Sequence, residues 1–242
     1  MSQQVRLATF NLENLYSRPT FWDPRRTDDQ RIGNVFFEDR GDATMARRIV
    51  EAAWSDEKCQ LTALALLETN ADIIALQEID NRNALKSLRD NYISKLAGNR
   101  LALAMKSFIF GQPQPSVAAV VEYRERLLAE IAYRQLEVLE GNDTRGIDVG
   151  FLARRPVVSL RSHKESTFAD LDVWPDGIAT YNNGSPDDPR YLTKADIIFK
   201  RDCLEAVFDI GGVPLTVFIC HFKSMSNGRV ASRVMRQAEA AA

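Results

Sequence analysis

Cysteine is scarce: Cys59, Cys203 and Cys220 are widely spaced, with no CxxC and no Cys/His cluster. Neither a disulfide framework nor a structural zinc site is implied, and a reducing compartment is the simpler setting. An excess of either charge is also missing, since 31 Lys+Arg stand against 33 Asp+Glu for a formal charge of -2. No global positive field draws in nucleic acid or an acidic membrane, so an anionic substrate has to be met locally. No apolar run reaches the roughly 18 residues of a membrane span. The first residues, Met1 to Leu7, lack the basic and apolar regions of a secretory leader. The expectation is a cytoplasmic protein with no membrane insertion and no obligate protein partner. Repeats and low-complexity segments are absent too. What remains is ordinary globular composition over 242 residues, 45% hydrophobic, 9% aromatic and 26% charged, enough for a sizeable core.

Hydrophobic periodicity then divides the chain. Residues 5–12 read as a buried first strand with Asn11 at its C-terminal end. Residues 17–42, rich in Pro, Arg, Asp and Gly, read as a long loop. A helix over 55–69 precedes the short apolar run 72–78, a strand that delivers Gln77 and Glu78 to its far end. Helical spacing of Leu85, Leu88, Tyr92 and Leu96 predicts a helix over 82–96. After Pro113 and Pro115, Val117, Val120, Val121, Leu128 and Ile131 predict another. Strands are predicted over 136–139, 147–153 (stopped by Pro156) and 157–163, and a long loop over 167–194. Gly211-Gly212 joins two apolar runs into a hairpin whose second strand ends at His221, and a helix is predicted over 229–240. This is an α/β rhythm.

Asn11, Glu78 and His221 each stand where a predicted apolar strand runs out. Singly, each has a plain explanation: a turn asparagine, a capping or salt-bridged carboxylate, a hydrogen-bonded core histidine. Together with Arg145-Gly-Ile-Asp148, which opens another buried strand, they suit a different chemistry. A carboxylate beside an amide oxygen suits a hard cation such as Mg²⁺, and imidazole with guanidinium can neutralise a phosphate.

Four blocks in order resemble the endonuclease/exonuclease/phosphatase superfamily of metal-dependent phosphoesterases. They are Thr9-Phe-Asn-Leu-Glu-Asn-Leu15, Ala71-Asp-Ile-Ile-Ala-Leu-Gln-Glu-Ile79, the segment from Gly141 to Pro156 in the form of the bacterial branch, and His221-Phe-Lys-Ser224 with the arginine-bearing helix after it. The resemblance runs over about residues 5–240; residues 97–134 and 164–198 carry no motif of the family. It implies one domain over 1–242 with the four-layer α/β/β/α sandwich fold. It also implies Mg²⁺ or Mn²⁺ held by Glu78 and Asn11, and Arg145, Asp148 and His221 completing a catalytic set that hydrolyses a phosphoester. The first substrate class is DNA or RNA; sphingomyelin, phosphoinositides and small phosphodiesters are further family substrates. The family also uses a later Asp-x-Asn pair and a final Asp-His pair, and neither follows His221 here. The expectation is therefore a domain lacking its C-terminal part, with an incomplete second sheet and poor activity. The alternative is a non-catalytic metal- or phosphate-binding fragment.

Overall fold

Ile73, Ile74, Leu76 and Ile79 alternate between two buried faces, which is why this run reads as continuously apolar. In the computed structural model, which describes residues 4–15, 56–111, 115–143, 145–174, 191–222 and 229–242, this run is the strand β2 (Ile73–Ile79) beside β1 (Leu7–Leu15). Between them in sequence, α1 (Asp56–Glu68) makes the crossover that a parallel pair requires. A continuous helical stretch follows: α2 (Arg82–Leu88), a single π-helical turn (Arg89–Ile93) and α3 (Ser94–Phe110). Asn81 caps its start, its side chain accepting from the Ala84 amide at 3.0 Å. The helix predicted to stop at 96 runs on because nothing breaks it before Gly111, whose amide bonds the Ser107 carbonyl at 2.9 Å.

The stretch 97–134, which matched no family motif, is thus largely helical. It comprises most of α3 and then α4 (Val117–Ile131), with Phe108 stacked on Tyr123 at 4.2 Å between ring centroids. β3 (Gln135–Leu139) and β4 (Asp148–Ala153) complete an antiparallel side, giving the order β1-β2-β4-β3. A second, antiparallel sheet has the order β5 (Val157–Ser162), β6 (Cys203–Ile210), β7 (Val213–Cys220). α5 (Arg229–Ala241) is the last element. The predicted loop 17–42 lies outside the described residues, as does 175–190 of the loop 167–194. The described flanks of that second loop form turns joined by a bridge between Thr167 and Ile197.

The protein is therefore mixed α/β with two sheets, and its buried side chains show how they stack. Leu66, Leu67, Leu85, Leu88 and Ile93 pack on Ile74, Leu76 and Leu152, so α1 to α3 cover one face of the first sheet. The other face presents Ile73, Val149, Phe151 and Ala153 to Leu204, Ala206, Phe208 and Ile219 of the second sheet. Phe151 meets Phe208 edge-on at 5.1 Å. Val234, Met235 and Ala238 of α5 pack against Phe168, Ile198, Phe199 and Cys203, on the far side of the second sheet. Among the described residues no helix is long and apolar enough to cross a membrane.

Gly150 shows how closely β3, β4 and β2 approach. A Cβ built there would lie 2.4 Å from the Glu137 carbonyl oxygen and 3.1 Å from Ile79 Cδ1. Gly150→Ala is expected to cost about 1–3 kcal/mol through backbone displacement. Gly98→Ala, in the exposed interior of α3 where an added Cβ meets nothing within 4 Å, is expected to stabilise by about 0.5–1 kcal/mol. Urea unfolding of the two variants should move the midpoint in opposite directions; equal midpoints would contradict the packing at Gly150.

Candidate active site

The pleat of β2 turns Ile74 and Leu76 toward the helices, and strict alternation would turn Glu78 the same way. An extra residue prevents this. Pairing with β1 and with β4 slips at the end of β2, and Ile79, not Glu78, takes the helix-facing place. Glu78 adopts left-handed backbone, φ 64°, and leaves the core. Opposite it, Glu13 and Asn14 of β1 are also left-handed, at φ 52° and 60°. Their turn is held by Asn11, whose Oδ1 accepts from the Glu13 amide at 2.8 Å. The Asn14 amide then donates to Glu78 Oε2 at 3.1 Å.

Asn11 is therefore not at a strand end, as its sequence context predicts. It stands within β1 opposite Gln77, because pairing resumes beyond the bulge with Leu15 against Ile79. Its side chain is exposed and serves its own turn.

His221 follows β7 directly and reaches Glu78, its Nε2 lying 3.4 Å from Oε1. The hairpin register pairs Cys203 with Cys220, so Arg201 is brought beside His221. Its guanidinium donates to His221 Nε2 and to the Phe222 carbonyl, the latter at 3.0 Å. Arg201 Nε also pairs with Asp143 at 3.0 Å, and Asp143 takes Arg145 at 2.7 Å on the same oxygen. Burial opposes the charge on Asp143, but the hydrogen bonds and charge of Arg145, with Arg201, hold its carboxyl below the usual range. The loop carrying Asp143 is tied down: the Asn142 amide donates to the Arg201 carbonyl, and Asn142 Nδ2 to the Phe199 carbonyl at 3.0 Å. Gly141 is required here, because a Cβ would stand 2.6 Å from the Arg201 carbonyl oxygen.

Burial, helped by the Arg201 charge, pushes His221 down to about 4, against the pull of Glu78, so the ring is neutral at pH 7. With Arg201 donating to Nε2, the ring proton sits on Nδ1, which is buried and meets no hydrogen-bond partner among the described residues. The Nε2 lone pair is taken up by Arg201, so Glu78 Oε1, 3.4 Å from Nε2, is the acceptor left to meet a small cation here.

The structure thus brings together Glu78, His221 and Arg145, the last through Asp143 and Arg201. Asn11 shapes the turn beside them. Asp148 is turned to the Gly141 amide, which it accepts at 2.8 Å. Sequence reasoning missed Arg201, Asp143 and Asn14. The hairpin register held the signal for Arg201, since pairing about Gly211-Gly212 sets the residues before β6 across from those after β7. Compared with family models, curated proteins and solved structures, the chain matches none of them.

Burial raises Asp148 to about 6, helped by the negative charges of Glu140, Asp202 and Asp143 and opposed by the Gly141 hydrogen bond. Its folded value exceeds the unfolded one, so from about pH 4 to 6 the folded state keeps a proton that the unfolded chain has lost. Stability contributed by this group is present below that window and lost above it. Asp148→Asn keeps the acceptor for Gly141 and is expected to stabilise the protein at pH 7.5 by about 2 kcal/mol, with no gain at pH 4. Urea titrations at both pH values check this; a gain equal at the two would mean that ionisation of Asp148 is not the cause.

Proposed function

We propose that this protein is a divalent-metal-dependent phosphoesterase of the endonuclease/exonuclease/phosphatase kind, with nucleic acid the first substrate class to test. The observation that carries the reading is Glu78: expelled from its strand by the bulge, it meets His221 and lies beside an Arg201–Asp143–Arg145 chain. The stacking of α1 to α3 on the first sheet and of that sheet on the second supports the sandwich, with α5 at the Cys203 end of the second sheet, and β5 and β7 each keep an unpaired edge among the described residues.

No group of three His, Cys, Asp or Glu side chains suited to a metal occurs among the described residues. The donor set still fits Mg²⁺, which is commonly bound through one or two carboxylates, with waters and substrate phosphate oxygens filling the remaining places. Glu78 is the residue to hold it, beside His221, whose Nε2 is taken up by Arg201. When bound, the ion polarises a phosphoryl oxygen and makes water a better nucleophile. Arg201 and Arg145 meet the charge that grows on the phosphoryl oxygens, from a partly buried place where guanidinium groups already held by Asp143 need little reorganisation. His221, neutral at pH 7, can give a hydrogen bond to the phosphate only after a change of tautomer. Asn11 acts as a positioning residue, setting the turn that aims the Asn14 amide at Glu78.

The second carboxylate of the cluster, Asp143, is committed to Arg145 and Arg201, so among the described residues it is not free to take a proton from the attacking water. General acid–base help is worth about 100–10,000-fold, so turnover by these residues alone is slow. A binding role without turnover is the second reading, and this same lack favours it. Arg233 and Arg236 on the exposed side of α5 are the basic residues for a nucleic-acid contact, which would weaken steeply with salt.

Manganese titration followed by electron paramagnetic resonance, with hydrolysis of plasmid DNA and of a chromogenic phosphodiester, tests the reading. Weak Mn²⁺ binding is expected, at least tenfold weaker in Glu78→Gln, with slow chelator-sensitive cleavage that falls about 100–1000-fold in that variant. Mn²⁺ binding without cleavage would favour the second reading. Unchanged Mn²⁺ affinity in Glu78→Gln would remove Glu78 from the site and the proposal with it.

A further inference from the structure

A second group of arginines lies at the other end of the first sheet. β1 and β2 are parallel and β4 runs antiparallel to them, so Arg6 before β1, Asp72 before β2 and Arg154 and Arg155 after β4 gather at one pole. Glu78 is six residues along β2 from Asp72, about 20 Å away at roughly 3.3 Å per residue. Together with Asn70 and with Arg126 of α4, these residues line a cavity of about 820 Å³, a volume typical of small-molecule sites.

The cavity is built around fixed guanidinium groups. Arg155 gives Nε and Nη2 to Asp72 Oδ1 at 3.0 and 2.8 Å. Asp72 Oδ2 takes the Arg6 amide at 3.0 Å. Arg154 gives Nη1 to Asn70 at 2.9 Å and lies over the ring of buried Tyr133, 4.8 Å from its centroid. Its Nε is buried with no hydrogen-bond partner among the described residues. The other lining carboxylate, Asp209, accepts the Gly212 amide of the hairpin turn at 2.5 Å. Both carboxylates are thus occupied by this chain's own donors. Arg6 and Arg126 have no ion-pair partner among the described residues. Four guanidinium groups face two committed carboxylates in a concave place, an excess of positive charge that a bound anion would neutralise.

We infer that this cavity binds a small ligand carrying a chain of phosphate groups, such as inorganic triphosphate or a nucleoside triphosphate. A guanidinium grips one phosphate through two parallel hydrogen bonds, and the clamped Arg154 and Arg155 already hold their planes in place. The arginines come from three separate parts of the chain and line a cavity of about 820 Å³, so a run of phosphates can offer one group to each. Ile131 and Pro156 are the apolar residues of the lining, and the arginines are its charged donors. The site is independent of the phosphoesterase reading.

Isothermal titration of the full chain with sodium tripolyphosphate and, separately, ATP, both with chelator present, tests the inference. Arg6→Glu and Arg126→Glu reverse exposed charges, and their unchanged melting temperature controls for folding. Tripolyphosphate is expected to bind, with at least tenfold loss in each of these variants and less than twofold change in Arg145→Ala at the other pole. ATP binding equal to that of tripolyphosphate would identify the phosphate chain alone as the ligand; tighter binding of ATP would identify a nucleotide. Absence of tripolyphosphate binding overturns the inference. So does binding that survives Arg6→Glu and Arg126→Glu but is lost in Arg145→Ala, which would place the anion beside Glu78.

Discussion

The hydrogen bond from the Asn14 amide to the Glu78 carboxylate joins two bulged strands, and the candidate site is arranged around it. Three residues that are not glycine, Glu13, Asn14 and Glu78, hold left-handed backbone at this point. Such conformations cost on the order of 1–3 kcal/mol each and persist only where the surroundings insist on them. Here the surroundings are the pairings on both sides of the slip: Leu15 against Ile79 and Ile79 against Asp148, with Leu15 and Ile79 buried among the helices. Burial of those two side chains demands the extra residue. The extra residue is what frees a carboxylate at the edge of a hydrophobic layer.

Around this point the two sheets meet. Glu78 belongs to the first sheet and His221 to the end of the second, so their contact depends on the register in which Phe151 and Ala153 pack against Leu204, Ala206 and Phe208. Arg201 spans the same boundary, bonding His221 and Phe222 on its own sheet and Asp143 in the loop before β4. Cys203 and Cys220 lie immediately behind, with the Cys220 thiol donating to Cys203 Sγ at 3.3 Å. Removing any one charge here would leave its partner buried and unpaired, which is costlier than never having had the pair. The cluster is therefore coupled to the core on both sides.

Much of the element order was legible because it rests on local patterns. The hairpin appears with the bounds its glycine turn suggests, and β4 ends before Pro156 as a strand should. Apolar spacing places the end of the helix beginning at Arg82 too early because that spacing fades where α3 becomes exposed, while the backbone needs only the absence of a breaker to continue. The bulge was illegible for a related reason. Nothing in Leu-Gln-Glu-Ile distinguishes an alternating strand from one that slips by a residue, so local pattern puts Asn11 at a strand end and not inside β1.

Sequence alone determined which residues are apolar, where turns must fall, and that Asn11, Glu78, Arg145, Asp148 and His221 are polar side chains near apolar runs, because these properties depend on residue type and neighbours within a few positions. Tertiary structure decided which of them meet. It placed Glu78 against His221 across 142 intervening positions of chain order, recruited Arg201 and Asp143, and turned Asp148 to the Gly141 amide. It also collected Arg6, Arg126, Arg154 and Arg155 at the far pole. Those juxtapositions follow from strand direction, register and sheet packing, which are properties of contacts between distant segments and have no counterpart in any local stretch of residues.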